Sequence, residues 1–358
     1  MYRLPPETFP VSFREDLDRL VAWLGQPDIL DDESYRRALR PETVRQYRIQ
    51  LLRFASELVH AGVAVTDLVS VRNLLGPALA ERGLRQMLAR NGGETSRHIS
   101  EMARLLGNLA NKLIAPEVDR AALSRLAGKL AVRPQVGMTP KNRGRLRVLQ
   151  EPRHQTRILN LPDKVFARPV KSGGHRLLVA REDALAIAIL LNCPIRVKNL
   201  AALELVRHIQ RPGDGKVYLV LEEEDTKTGR AIEFELPCDV VRLLDAHLAT
   251  RAPHLCPHGT PYLFPQRTGA APIQPSCLAG RIAKRVRRET GLEMNVHLFR
   301  HFAVMLSLDA NPGGYEVARR LLGHSDLSHT INMYSGLEVR TATRAYSDLM
   351  AELKAGKR

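Results

Sequence analysis

His297-Leu298-Phe299-Arg300, then Leu322-Gly323-His324, then Tyr334 follow one another in the last third of this 358-residue chain. Their side chains add up to one chemistry. Arg300 is a permanent cation that can hold two phosphate oxygens at once. His297 and His324 can donate hydrogen bonds to a phosphate or move protons near neutral pH. Tyr334 carries a hydroxyl able to attack phosphorus and form a covalent ester. Residues three apart on a helix share a face, so His297 and Arg300 can address the same oxygens. An H-x-x-R, a G-H or a single tyrosine is weak evidence alone; the specificity lies in the ordered set within a basic chain.

Two further groups precede these: Arg196 in Cys193-Pro194-Ile195-Arg196, and Lys227 in Thr226-Lys227-Thr228-Gly229. The series Arg196, Lys227, His297, Arg300, His324, Tyr334 resembles the motif of the tyrosine recombinases, the phage-integrase family. The resemblance runs from about Lys141 to the C-terminus and more loosely over the helices before it. Two positions beside Arg196 depart from the pattern. Asn199 stands where an acidic residue is frequent, and Pro194-Ile195 where Gly-Leu is usual.

The resemblance implies a role for each group. Arg196 and Arg300 would clamp the non-bridging oxygens and stabilise the transition state. Lys227, on a hairpin, would protonate the departing 5′ oxygen. His324 would donate to a non-bridging oxygen, and His297 would assist proton transfer at Tyr334. The product would be a 3′-phosphotyrosine and a free 5′ hydroxyl, which can rejoin without ATP because the ester keeps the energy of the cut bond. The two arginines stand in for a metal, and no cofactor is expected. His301, next to Arg300, points another way on the helix and reads as a packing histidine, not a catalyst.

The implied activity is a site-specific DNA recombinase or integrase, with double-stranded DNA and further copies of the chain as partners. Four protomers would exchange two duplexes in synapsis. A type IB topoisomerase that nicks and reseals shares the chemistry, but usually has a long linker. A non-catalytic DNA-binding protein of the same fold is the third reading, and the intact set of six groups argues against it.

Charge agrees with a polyanionic partner. Lys and Arg number 54 against 38 Asp and Glu, for a net charge of +16 and a pI near 10.1. Such an excess steers nucleic acid and releases its counterions on binding. The longest clean apolar run, Ala184 to Leu191, is too short to span a membrane. The N-terminal stretch lacks a signal-peptide core. Cys193, Cys238, Cys256 and Cys277 show no C-x-x-C spacing, as expected of a reduced cytoplasmic protein, and the resemblance implies association with the nucleoid. His254, Cys256 and His258 alternate in a Pro/Gly-rich loop without a second ligand pair, a poor zinc site.

The elements that must position the site follow from periodicity. Val44, Tyr47, Leu51, Phe54 and Leu58 predict a helix over Pro41 to Ala61, with Gly62 past its end. Thr95 to Ile114, Leu68 to Arg90 and Ala121 to Leu130 read as further helices, making a small bundle. Val132 to Arg147, rich in Pro and Gly, is the expected boundary, either a basic hinge that closes around a duplex or a solvated linker that happens to be basic. This divides the chain into a helical DNA-binding (core-binding) domain over 1–138 and an α+β catalytic domain over 139–358.

Beyond it, Asp183 to Asn192 reads as a buried helix. Val217 to Leu221 and Ala231 to Leu236 read as strands about a turn at Thr226 to Gly229. Val240 to Thr250 and Leu278 to Glu289 are helical. The fold class is mainly α with a small antiparallel sheet. The expected DNA-binding surface is Lys141, Arg143, Arg145 and Arg147 in the hinge, with Arg281, Lys284, Arg285 and Arg288 at i, i+3, i+4 and i+7 on one face. The tail, Leu337 to Lys357, has Ala342, Ala345 or Tyr346, Leu349 or Met350, and Leu353 at helical spacing; such a stripe packs on its own domain or, as the resemblance implies, docks on a neighbouring protomer as an assembly helix.

Overall fold

The structure is a computed structural model and describes residues 2–27, 38–133, 137–169, 174–337 and 339–355. It forms two compact units, Met1–Pro134 and Gln135–Arg358.

The first unit is a helical bundle of α1 (Val11–Gly25), α2 (Pro41–His60), α3 (Pro77–Arg90), α4 (Arg97–Lys112) and α5 (Glu117–Lys129). Pro41 opens α2 at a position whose N–H needs no partner. Gly62, at φ +84°, turns the chain out of it. In α1, Phe13, Leu17, Leu20 and Leu24 bury one stripe, and in α4 so do Ile99, Met102, Leu106 and Leu109. Ser96 caps α4 by accepting from the Ile99 N–H. A glycine inside α3 sets the spacing of two helices: a Cβ at Gly83 would lie 2.5 Å from the Phe54 ring. The helical region Leu68 to Arg90 is built of two pieces. A 3-10 turn over Val71–Leu75 precedes α3, and Gly76-Pro77 separates them.

The second unit holds α6 (Pro140–Leu149), α7 (Pro152–Leu159), α8 (Leu161–Phe166), α9 (His175–Asn192) and α10 (Val197–Ala201). Then come β1 (Ile209–Gln210), β2 (Tyr218–Leu221) and β3 (Ile232–Glu235). It ends with α11 (Cys238–Arg251), α12 (Pro275–Thr290), α13 (Val296–Ala310), α14 (Tyr315–Leu322), α15 (Leu327–Tyr334) and α16 (Val339–Lys354). Helix α9 is the axis of this unit. Ala184 through Leu190 are all buried, which is why the run is apolar on every side. The sheet is antiparallel in the order β1-β2-β3. Leu219 pairs with Phe234 and Leu221 with Ile232. The short β1 had no legible alternation, being only two residues long.

Two expectations about charge need correction. The basic stretch expected in a hinge is largely helical. Thr139 caps α6 through the Asn142 N–H, and Leu146 and Leu149 bury it in the second core. Lys141, Arg143 and Arg147 remain exposed, but Arg145 pairs with Glu293 at 2.7 Å. Pro134 lies outside the described residues.

The face of α12 is not free of acids either. Arg281 donates to Glu182 at 2.6 Å and to Asp183 at 2.8 Å. Arg285 reaches Asp183 at 3.2 Å and Glu289 at 3.4 Å. Burial raises the affinity of Glu182 and Asp183 for protons, and the arginines oppose it. Buried charges need partners, and these arginines supply them. Only Lys284 and Arg288 of the expected four stay exposed.

No helix of the described residues is long and apolar enough to cross a membrane.

Candidate active site

Helix α13 is the platform. The Asn295 side chain caps it by accepting from the Leu298 N–H at 2.9 Å. Leu298, Phe299 and Phe302 anchor it in the core, which fixes the direction of Arg300 between them. Arg300 is buried, 5% exposed. One Nη donates to the Pro194 carbonyl and the other to the Leu322 carbonyl at 2.8 Å. Pro194 is two residues before Arg196, and Leu322 two before His324. One guanidinium thus joins three motif segments that lie far apart in the chain.

Arg196 stands at the N-cap of α10, in extended backbone. His324 follows the α14 C-cap Gly323, whose φ is +60°. Glycine is required there twice over, by the left-handed backbone and by crowding. A Cβ would sit 2.2 Å from Ile232 Cδ1 of β3. Arg319 donates to the His324 carbonyl at 2.8 Å, and His324 Nδ1 meets the Thr330 hydroxyl at 3.0 Å. Its Nε2 is thereby left for a ligand.

The hairpin between β2 and β3 closes onto the same place. Thr226 Oγ1 accepts from the Arg230 N–H at 3.0 Å and shapes the turn. The Thr228 hydroxyl donates to the Gly323 carbonyl. Lys227 lies between these two threonines with an exposed side chain.

Tyr334 ends α15, which Asp326 caps through the Ser328 N–H. The tyrosine is 2% exposed. Its hydroxyl is 2.9 Å from His301 Nδ1. His297, which was expected at this proton, is exposed, and its ring stands edge-on to His301 at 4.7 Å. His301 is therefore more than packing: it touches the hydroxyl of the candidate nucleophile. The signal was present in the sequence, since His301 is four residues after His297 and so on its face of the helix.

The electrostatics are those of an anion site. Burial, then Arg196, pushes the Arg300 guanidinium down to about 10, with Tyr334 opposing. Burial lowers Arg196 as well. Partial desolvation of its ring, although the residue keeps solvent access, lowers His297, as do Arg300 and then Arg196. His324 falls to about 4 through burial, Arg300 and His329. Burial raises the Tyr334 phenol to about 12, with Arg300 opposing. The charged neighbours that act on these groups are one another, with His329 and Arg319 also acting on His324, and no described carboxylate is among them. A bound phosphodiester would supply the missing negative charge. Of the sequence candidates, the structure brings Arg196, His297, Arg300, His324 and Tyr334 into one constellation and sets the Lys227 hairpin at its edge. Arg281 and Arg285 serve α9 instead.

Comparison with known proteins agrees with this fold. Solved structures share the fold at low identity. The XerH site-specific recombinase bound to difH substrate, a pre-cleavage complex, aligns at TM-score 0.53 and 16% identity, covering 85% of this chain and 79% of that one. Its post-cleavage complex with palindromic difH aligns at TM-score 0.53 and 14% identity, covering 93% and 96%. The Tn1549 transposon integrase in complex with transposon right end DNA gives TM-score 0.52 and 16% identity, covering 94% and 99%. No curated protein sequence matches the chain. The Phage integrase family model matches residues 178–339, a span that contains all six candidate groups. Over those residues, somewhat less than half of the chain, the sequence is similar to the phage integrase family.

Proposed function

We propose that this chain is a site-specific DNA recombinase that cuts and rejoins strands through a 3′-phosphotyrosine at Tyr334. The observation that carries this reading is the Arg300 guanidinium, buried beside Arg196 and Tyr334 and bonded to the carbonyls of Pro194 and Leu322. That arrangement puts cations and a nucleophile around one point, which is what phosphoryl transfer asks of a protein.

Arg196, Arg300 and His324 hold the non-bridging oxygens, with His297 beside them. Lys227 protonates the 5′ oxygen as it leaves. No metal is needed, because the arginines stabilise the developing charge. The XerH recombinase bound to difH substrate and the Tn1549 integrase in complex with transposon right end DNA share the fold, and DNA is the partner proposed here. Residues 1–138 form the DNA-holding domain and 139–358 the catalytic one, joined at the segment that ends the first compact unit. Four protomers assemble on two duplexes, with α16 as the linking element. Its Tyr346 and Leu353 are 63% and 51% exposed, an apolar stripe suited to a neighbour's surface. DNA as partner places the protein at the nucleoid, in the cytoplasm.

The test is recombination between two plasmid copies of the DNA flanking the gene. Recombinant junctions are expected. Relaxation of a plasmid lacking that DNA, with no junctions formed, would indicate a nicking and resealing enzyme instead.

A further inference from the structure

The hydroxyl consumed in the proposed reaction already has a proton partner. His301 Nδ1 is 2.9 Å from the Tyr334 oxygen. His301 is 3% exposed, one helical turn beyond His297 on α13. Its ring is edge-on to the His297 ring at 4.7 Å and to the Tyr334 ring at 5.5 Å. We propose that His301 is the base of strand cleavage, its Nδ1 taking the Tyr334 proton as the phenolic oxygen bonds to phosphorus.

The step balances. The bond from Tyr334 oxygen to phosphorus forms, and the bond from phosphorus to the 5′ oxygen breaks. The phenolic proton goes to His301 Nδ1, and the 5′ oxygen takes a proton from Lys227. Rejoining reverses each transfer. The inference rests on the proposed function and moves the proton role from His297 to His301.

Three observations support it. First comes distance: a base must lie within hydrogen-bond reach of the proton it takes, and among the described residues His301 is the partner of that hydroxyl. Second is protonation state. The charged groups around His301 are His297 and Arg300 on α13 and His324 after α14, and with burial they push its imidazole down to about 3. The ring is neutral at physiological pH, and Nδ1 is free to accept when the ring proton is on Nε2. Third is timing. The cations that weaken this base also hold the scissile phosphate, and the negative charge of the phosphate offsets their effect. The imidazole gains basicity when substrate is seated. The phenol needs such help, since burial holds it near 12. His297, exposed and beside Arg300, is placed to face a phosphate oxygen.

The test is single-turnover cleavage by the full chain of a nicked suicide duplex carrying its site, followed from about pH 5 to about pH 9. His301→Asn keeps a polar atom near the Nδ1 position but cannot take a proton. We expect unchanged melting temperature and DNA affinity, cleavage slower by about 10²- to 10⁴-fold, and loss of the acidic limb of the rate profile. His297→Asn keeps that limb at reduced rate. In His301→Ala, added imidazole restores cleavage, and more basic imidazoles restore it better. If His301→Ala melts early, His301→Asn alone decides. Wild-type rate or faster in His301→Asn would make the contact a mere resting place for the tyrosine and overturn the proposal. So would an acidic limb lost in His297→Asn and kept in His301→Asn. Absence of any adduct from the wild-type chain would instead overturn the proposed function, and this inference with it.

Discussion

The Thr228 hydroxyl donates to the Gly323 carbonyl at 3.2 Å. This bond ties the hairpin that carries Lys227 to the loop that carries His324, although 95 residues separate the two partners. Ile232 of the same hairpin packs where a Gly323 Cβ would be. The proposed general acid and a proposed phosphate ligand are thus positioned by one contact.

Loss of that bond should slow cleavage without removing any catalytic group. A net hydrogen bond contributes about 0.5–1.5 kcal/mol, so Thr228→Val should cleave about two- to tenfold slower. Lys227→Ala should be far slower. Replacing the bridging 5′ oxygen by sulfur gives a leaving group that needs no proton, and this substrate should restore cleavage to both variants. Failure to rescue Lys227→Ala would assign the acid elsewhere, with His324 next in line.

Arg300→Lys tests the clamp and the scaffold together. A point charge cannot reproduce the two-armed guanidinium, and the Pro194 and Leu322 carbonyls cannot both keep their donor. Cleavage should fall by about 10²–10³ or more, as for loss of an oxyanion-hole donor. Melting temperature should fall too, because a buried carbonyl left without a partner costs about 1–3 kcal/mol. Near wild-type cleavage in this variant would contradict the clamp role.

The two kinds of charge on α12 should separate in experiment. Removing Arg281 leaves Glu182 buried without its ion-pair partner, a defect that typically costs about 3–5 kcal/mol. Arg281→Gln should therefore lower the urea midpoint strongly. Neutralising Lys284 and Arg288 should leave stability unchanged and reduce the log–log salt slope of DNA binding by about two. An unchanged slope would make these two side chains bystanders.

Helix α16 should matter for assembly more than for folding. Tyr346 and Leu353 are exposed, so truncation after Leu337 should preserve melting temperature and half-site affinity while abolishing synaptic complexes and strand exchange. A large drop in melting temperature with lost half-site binding would show that the helix completes its own core.

Much of this was legible in the sequence, for a physical reason. Chemistry-bearing residues keep their order along the chain, so the six groups could be named before any of them was placed. Long amphipathic repeats such as Ile99, Met102, Leu106 and Leu109 announce a helix by periodicity alone. Helix α1 carries an equally clear repeat in Phe13, Leu17, Leu20 and Leu24, which goes unread when that stretch is judged only for a signal-peptide core. Long-range pairing was not legible. Glu182 and Asp183, which hold Arg281 and Arg285, lie about a hundred residues upstream, and a helical wheel of α12 cannot show them. The His301–Tyr334 contact spans 33 residues and two helices. Helical spacing suggested the shared face of His297 and His301, but only packing reveals which of the two rings meets the hydroxyl. The α6 capping by Thr139 was hidden by neighbouring Pro and Gly residues that read as a hinge.

The most direct measurement is the covalent adduct itself. The full chain is incubated with a suicide duplex, and the trapped protein–DNA peptide is sequenced. The linkage is expected at Tyr334, through a 3′ phosphate, with the other strand end left as a 5′ hydroxyl. Tyr334→Phe should bind the duplex with wild-type affinity and give no adduct. An adduct that persists in Tyr334→Phe, or one that maps to Tyr346, would contradict the account.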